Sequence, residues 1–531
     1  MSAATLAAGS AAPPYSEDAV SLKTWVGVFG ATLGAFMAVL NIQITNSALF
    51  PIEGGIGTGG ANGAWITTSY LIGEIIIIPL TDFLSRVFSR RRFLLVNIAL
   101  FTIFSVLCAF AQNLGQMIAL RGLQGLFGGV LIPLAFTIVV TLLPKSKQPI
   151  GMAMFALGAM FAPSIGPTIG GYLTETLNWH WVFYVNAVPG LVMFAALYWA
   201  LEPAPMKLDL LKTGDWSGIA TLAVGLASLQ TVLEEGNTED WFGSPFILRL
   251  TVVAVVSLSM FAWIEFHKPN PVVNLRLFGR RNFGLGSLAT FFLGFGLYGS
   301  GYLLTAYLAQ AQGYNAQQIG TVVMWTGLPQ LLLIPFVPKL QQKVDGRILV
   351  AVGLLLFAVS CFWNLQLSKD VGADQLFLPN IIRAIGMSVV LAPLSGLSMA
   401  GIEPENTGAA SGLFNMMRNV GGAFGTAVLL TFFTKREHYH SNVINRHVTL
   451  TDPQTQERLA QLKQFFLHQG TTDAAIATKQ AMIAIGHTIH GQAALMGFGD
   501  TFGLLGAMLV LAAASVAFLK KSGGGSAPGA H

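Results

Sequence analysis

Residues 120–171 read LRGLQGLFGGVLIPLAFTIVVTLLPKSKQPIGMAMFALGAMFAPSIGPTIGG, two apolar runs parted by a short polar break that carries Lys145 and Lys147. A helix crosses a bilayer with about 20 apolar residues at about 1.5 Å rise each, and each run is long enough. The first run embeds Arg121, with Gln124 and Gly125 at helical spacing; the second ends in Gly166-Pro167-Thr168-Ile169-Gly170-Gly171. An ionisable side chain inside a membrane helix is costly and faces a partner or a water-filled path. Glycines four apart let a second helix approach closely, and the proline loosens the helix there.

The whole chain has this character. Hydrophobic residues make up 53% and charged residues 10% of the 531 positions, against about 25% charged in a soluble domain. The pI of 9.1 would suit nucleic acid, but the basic residues are dispersed among loops, so no nucleic-acid partner is expected. Cys108 and Cys361 fall inside apolar runs and read as small apolar fillers rather than a disulfide or metal site. The first 22 residues are Ala/Pro/Ser-rich without a basic n-region, so they read as a cytoplasmic tail before an uncleaved first helix.

Fourteen apolar runs follow, at roughly 26–50, 64–84, 93–111, 114–143, 150–173, 181–201, 217–233, 246–266, 283–308, 317–337, 348–366, 376–399, 407–433 and 497–519. Alternate connections carry Arg86 and Arg90–Arg92, Lys145 and Lys147, Lys207 and Lys212, Arg276 to Arg281, and Lys339 to Arg347. The opposite short loops hold Lys369 and acids such as Glu53, Glu175, Glu234 and Glu235. Short Lys/Arg-rich loops stay in the cytoplasm, which puts both termini there.

Arg121-Gly122-Leu123-Gln124-Gly125 resembles the R-x-x-Q-G motif in the fourth helix of the major facilitator superfamily. Gly166-Pro167-Thr168-Ile169-Gly170-Gly171 is similar to that superfamily's antiporter motif in the fifth helix, typical of exporters. Run 4, with Arg121 and Pro133, is echoed by run 12, with Arg383 and Pro393; run 5 is echoed by Arg418-Asn-Val-Gly-Gly-Ala-Phe-Gly in run 13. Such internal repeats are normal in secondary transporters. Fourteen runs, Trp179-His180-Trp181-Val182-Phe183 and Glu239-Asp240-Trp241-Phe242 resemble the EmrB/QacA branch of drug:proton antiporters, closest to its EmrB side. The resemblance implies an all-α integral membrane protein of the major facilitator fold with 14 transmembrane helices. Its divisions would be a cytoplasmic tail 1–22, a six-helix half 23–201, a linker 202–282 with two inserted helices, a second half 283–519 and a cytoplasmic tail 520–531.

Two departures stand out. After the second helix the superfamily pattern is roughly G-x-L-A-D-R-x-G-R-R, whereas this chain reads Asp82-Phe-Leu-Ser-Arg86-Val-Phe-Ser89-Arg90-Arg91, keeping the basic end without the glycines. In the first helix the branch carries L-D-x-T-x-x-N-V-A, with its aspartate a candidate proton carrier; here Asn41 stands at that place in Leu40-Asn41-Ile42-Gln43-Ile44-Thr45-Asn46-Ser47-Ala48. Asparagine cannot titrate. Glu74 is the acid near the middle of an apolar run, while Glu265 and Asp500 lie near run ends, where snorkelling and water account for them. Counting from the ends of runs 1 and 2, Asn41 and Glu74 lie roughly 14 Å and 15 Å from the same face, and Arg121 about 10 Å. The three are expected to share one polar cluster, the proton-coupling group.

The substrate cavity is expected to be lined by Asn41, Gln43, Thr45, Gln124, Trp325, Arg383, Phe414, Met417 and Arg418, because aromatic and methionine side chains adapt to varied apolar shapes. Segment 435–496 is the one extended outer region and reads as two amphipathic helices, 452–468 and 472–490. It suits either a docking surface for a periplasmic membrane-fusion adaptor of the EmrA kind, joined to an outer-membrane channel, or a cap over the outer mouth. His438, His440, His487 and His490 read as wet-surface residues. No P-loop, G-x-S-x-G or HExxH is present, so neither enzyme chemistry nor a cofactor is expected. The functions left are a proton-coupled exporter of amphipathic small molecules in a bacterial inner membrane, an exporter of one metabolite or siderophore, a symport importer and a receptor on the same fold.

Overall fold

The structure, a computed structural model, describes residues 20–58, 62–212, 214–268 and 271–520. Most of tail 1–22 and nearly all of tail 520–531 lie outside these residues. Among the described residues the chain is helical and every apolar run of the sequence becomes helix. In order these are α1 Leu22–Ser47, α2 Ala64–Ile77 continued by Thr81–Phe88, α3 Arg90–Cys108, α4 Leu114–Leu142, α5 Gln148–Thr176 and α6 Trp181–Ala200. Then come α7 Trp216–Glu235, α8 Pro245–His267, α9 Arg281–Gln310, α10 Ala316–Lys343, α11 Gly346–Gln366, α12 Ala373–Met399, α13 Thr407–His447 and α14 Ala474–Val516.

Twelve of these are long and apolar enough to span a membrane on their own. The other two are α2 and α13. Pro79 cannot donate a backbone hydrogen bond, and α2 breaks around it. α13 mixes an apolar first half with a polar continuation.

Helices α1–α6 pack among themselves, with α1 on α4, α5 and α6 and α2 on α4; α9–α14 repeat this, with α9 on α12, α13 and α14. The repeat has a steric cause. A methyl at Gly170 would overlap Ser47, and one at Gly421 or Gly166 would overlap the Phe291 carbonyl oxygen or Gln43. The α1–α5 and α9–α13 pairs are therefore equivalent seams that only glycine permits. The two groups meet where α10 touches α5 and where α13 touches α4 and α2. The inserted α7 packs on α8, but also on both α2 and α13, so it straddles the groups. α8 turns Val252, Val255, Val256, Met260 and Trp263 outward, a face suited to lipid.

The outer segment differs from the sequence expectation. Run 13 does not stop near residue 433: α13 continues as one helix to His447, and the expected helix 472–490 is the beginning of α14. The extensions add roughly 20 Å and 35 Å of helix, with helix Pro453–His468 packed on α14. Hydropathy falls along these stretches while helix propensity does not, so an apolar-run count ends too early. Nor are the histidines all on a wet surface. His440 is buried and pairs with Asp500 at 2.7 Å, beside the Arg436–Asp500 bond of 2.6 Å. Asp500 thus clasps α13 to α14 instead of snorkelling. Glu265 is also buried, accepting from the Val273 N–H at 3.4 Å.

Candidate functional site

The arginine of α4 reaches its partners because glycine brings α2 close. A side chain at Gly125 would overlap the Tyr70 carbonyl oxygen, and one at Gly73 the Gly122 carbonyl. At that spacing Arg121 Nε donates to the Ile66 carbonyl at 3.2 Å, and Nη1 donates to Asn41 Oδ1 at 2.6 Å and Gln124 Oε1 at 2.7 Å. The guanidinium lies 4.4 Å from the centre of the Tyr70 ring, whose hydroxyl donates to the Ala38 carbonyl at 3.2 Å. Arg121, Asn41 and Gln124 are each wholly buried. α1, α2 and α4 are tied together by this one charge.

Glu74 lies on the same α2 but is not bonded to Asn41, as the depth count expected. Its Oε1 accepts from Nδ2 of Asn419 on α13 at 2.9 Å. The acid of the first six-helix group is thereby held by the second. Glu74 is 2% exposed and its other oxygen has no hydrogen-bond partner among the described residues. Arg418 is 1% exposed, and none of its three guanidinium nitrogens has a hydrogen-bond partner among the described residues.

The remaining expected residues divide. Thr45 donates to its own helix at the Asn41 carbonyl, 2.8 Å away, a bond that keeps its hydroxyl on the backbone. Gln43 is pressed against Gly166. Phe414 packs on Phe136 of α4 with ring centres 6.1 Å apart, and Met417 is half-buried on α13. Arg383 lies 5.2 Å from the Phe357 ring centre and makes one long contact, 3.5 Å, to the Leu297 carbonyl. Trp325 stands elsewhere. With Thr321, Ala373, Asp374 and Phe377 it lines a cleft of about 340 Å³ between α10 and α12. Gly171 and Pro167 sit in a helix that packs on α10 as well as α1: a methyl at Gly171 would meet the Ala316 backbone at 2.8 Å, and Thr168 donates to the Gly320 carbonyl at 2.8 Å.

Sequence reasoning passed over three residues. Asn419 carries no charge and sits in a glycine seam. Tyr298, on α9, has its ring pressed against Gly422 of α13. Glu235, read as a loop acid, ends α7 buried and accepts from Thr68 of α2 at 2.9 Å; its signal was the helical spacing of Ser228, Thr231 and Val232, whose buried face it continues. Asp82, left without its usual motif, pairs with Arg86 at 3.3 Å and abuts Gly408 of α13.

Known proteins agree with this architecture. A sequence profile of the Major Facilitator Superfamily matches residues 31–426. The chain is 34% identical to the colistin resistance protein EmrB of Acinetobacter baumannii over 94% of its own length and 97% of that protein's. It is 30% identical to the multidrug export protein EmrB of Haemophilus influenzae, covering 94% and 96%, and 30% identical to the fatty acid resistance protein FarB of Neisseria gonorrhoeae, covering 97% and 99%. In fold it is similar to the human organic anion transporter MFSD10 (TETRAN), with a TM-score of 0.55 at 16% identity over 92% of this chain and 99% of that one. Fourteen helices in two glycine-seamed groups around a buried polar centre, matched end to end by such relatives, belong to a transporter rather than an enzyme: the chain is a multi-pass membrane protein of the major facilitator superfamily.

Proposed function

We propose that the chain is a proton-coupled multidrug exporter, moving amphipathic small molecules out across a bacterial inner membrane. The observation that carries this is the Glu74–Asn419 bond of 2.9 Å. It places a titratable group about 15 Å from one face of the hydrocarbon, on the contact between the two halves that must separate when access alternates. A buried carboxylate has its charged form disfavoured, and the arginine fields oppose that. When the halves part, Asn419 leaves Glu74 and the balance is reset. Proton and substrate then exclude one another, which exchange requires.

The names of the relatives, multidrug export and resistance proteins in Gram-negative bacteria, support export over import. The basic loops support cytoplasmic termini, with segments 23–201 and 283–519 as the two halves. The prolonged α13 and α14 with helix Pro453–His468 form an outer hairpin suited to a periplasmic membrane-fusion adaptor and, through it, an outer-membrane channel. Replacing Pro453–His468 by a Gly/Ser linker would then abolish resistance in intact cells while transport in proteoliposomes persists. Loss of both would make the hairpin part of the transport fold.

Direction and coupling are tested in everted vesicles. An acid-inside gradient should drive uptake of a fluorescent amphiphile by the unsubstituted protein and none by Glu74→Gln. Uptake by Glu74→Gln equal to the unsubstituted protein would overturn the assignment of Glu74. Release in place of uptake would make the protein an importer.

A further inference from the structure

The polar atoms left unmatched at the centre have a pattern. On α13, Arg418 offers three donor nitrogens with no acceptor, flanked by the unmatched side-chain oxygens of Asn415 and Asn419; on α2, Glu74 Oε2 is an acceptor with no donor; the Arg418 and Glu74 side chains are both at least nine-tenths buried. Arg418 lies roughly 17 Å along α13 from its start and Glu74 roughly 15 Å along α2 from the opposite face, so they share the membrane mid-plane. The two form no direct ion pair, yet Asn419, the residue after Arg418, bonds Glu74 at 2.9 Å, which brings this stretch of α13 against Glu74. A buried guanidinium without partners costs several kcal/mol by general estimates, which is an arrangement that a ligand relieves.

We propose that Arg418 and Glu74 form a two-point subsite for a neutral head group that carries a hydrogen-bond donor beside an acceptor. A primary amide or an un-ionised carboxylic acid has this form. Its carbonyl accepts from Arg418, and its N–H or O–H donates to Glu74 Oε2. One turn earlier on α13, Phe414 packs on Phe136, so the wall beside the subsite is aromatic and suits an apolar tail.

The sign of coupling follows from the second point. A proton arriving on Oε2 occupies the same acceptor and expels the donor of the ligand, so the ligand and the proton compete. An ionised carboxylate would behave differently. It would neutralise Arg418, repel ionised Glu74 and favour the protonated form, so it would not exchange. The head group is thus bound un-ionised. This inference rests on the reading of Glu74 as the coupling group, but equilibrium binding without a gradient tests it separately.

The probes are decanamide and N,N-dimethyldecanamide, which share the carbonyl and differ in the N–H donor. Binding is measured by calorimetry on the full chain in lipid nanodiscs, with empty nanodiscs subtracted. The unsubstituted protein should bind decanamide about tenfold more tightly, the effect of one charge-assisted hydrogen bond. Arg418→Gln should weaken both amides about tenfold without lowering the thermal midpoint, since it removes an unpartnered buried charge. If Arg418→Gln does not yield folded protein, Arg418→Lys decides: it keeps the charge but loses the fork, and both amides should bind at least about threefold more weakly. Equal affinity for the two amides, or affinities unmoved in the Arg418 variant measured, overturns the subsite. Loss of gradient-driven transport in Glu74→Gln with the amide preference absent would leave coupling at Glu74 standing and this ligand class wrong.

Discussion

Arg121 and Arg383 occupy matching places in the two halves, each on the helix after one that carries a buried cysteine, Cys108 or Cys361. Their surroundings differ. Arg121 makes three hydrogen bonds and lies over Tyr70, whereas Arg383 has one contact of 3.5 Å; each leaves one guanidinium nitrogen unmatched, Nη2 of Arg121 and Nε of Arg383. The Arg418 guanidinium, also in the second half, has no hydrogen-bond partner among the described residues. The repeat has conserved the way helices pack but not the chemistry carried on them. The first half spends its arginine on tying α1, α2 and α4 together. The second half leaves its cations underused, and Glu74, bonded by the residue that follows Arg418, comes from the opposite side. In the function proposed above, the working residues therefore stand on the contact between halves and not within either.

Removing the two arginines should break the symmetry most visibly. Arg121→Ala strands Asn41, Gln124 and the Ile66 carbonyl, and losing several charge-assisted bonds in a buried site should cost about 3–5 kcal/mol. Arg383→Ala loses a ring contact and one weak bond and should cost about 1 kcal/mol. SDS titration in mixed micelles measures both. Equal losses would show that the two sites are energetically alike and that the difference in bonding carries no weight.

The glycine seams should respond alike, because there the halves are equivalent. Gly170→Leu and Gly421→Leu both force a side chain into a neighbouring helix, at Ser47 and the Phe291 carbonyl. Each should lose about 1–3 kcal/mol by the same titration. A loss confined to Gly170→Leu would mean that the antiporter motif does more than pack.

The smallest effect is expected where the second half is tied to the inserted pair. Arg280, on the connection after α8, bonds Glu403, on the connection after α12, at 2.6 Å and 2.8 Å. That contact holds the Glu403 carboxyl down at about 2. A depressed carboxylate stabilises the fold above its ordinary range and loses that contribution only as the pH falls through about 2. Glu403→Gln should thus lower the thermal midpoint slightly, and by the same amount at pH 8 and pH 5, since the pair is exposed. An unchanged midpoint in Glu403→Gln at both pH values would place the carboxyl in its ordinary range.

Much of this was legible in the residues. Fourteen spans followed from apolar runs, since a bilayer leaves a helix little choice of composition. Asn41, Glu74 and Arg121 were grouped by depth together with the family resemblance, and Glu74 was found as a lone acid inside an apolar run. Its partner was not. Asn419 is 345 positions away and uncharged, and no periodicity links α2 to α13. Glu235 was hidden by Glu234 and Glu239, because an acidic string reads as a wet helix end. The continuation of α13 and α14 escaped because hydropathy reports where lipid ends, while the backbone hydrogen bonds that make a helix run on.

The claim that coupling lives on the contact between halves is tested most directly by protons. Decanamide is added to the purified protein in lightly buffered detergent at pH 7.5, in the range where proton-coupled exchange would operate, and the change in bulk pH is read. A donor bonded to Glu74 Oε2 favours the ionised carboxylate, so the unsubstituted protein should release protons on binding, and Glu74→Gln should release none while still binding the amide. Equal release from both would contradict the account and move the proton to another acid.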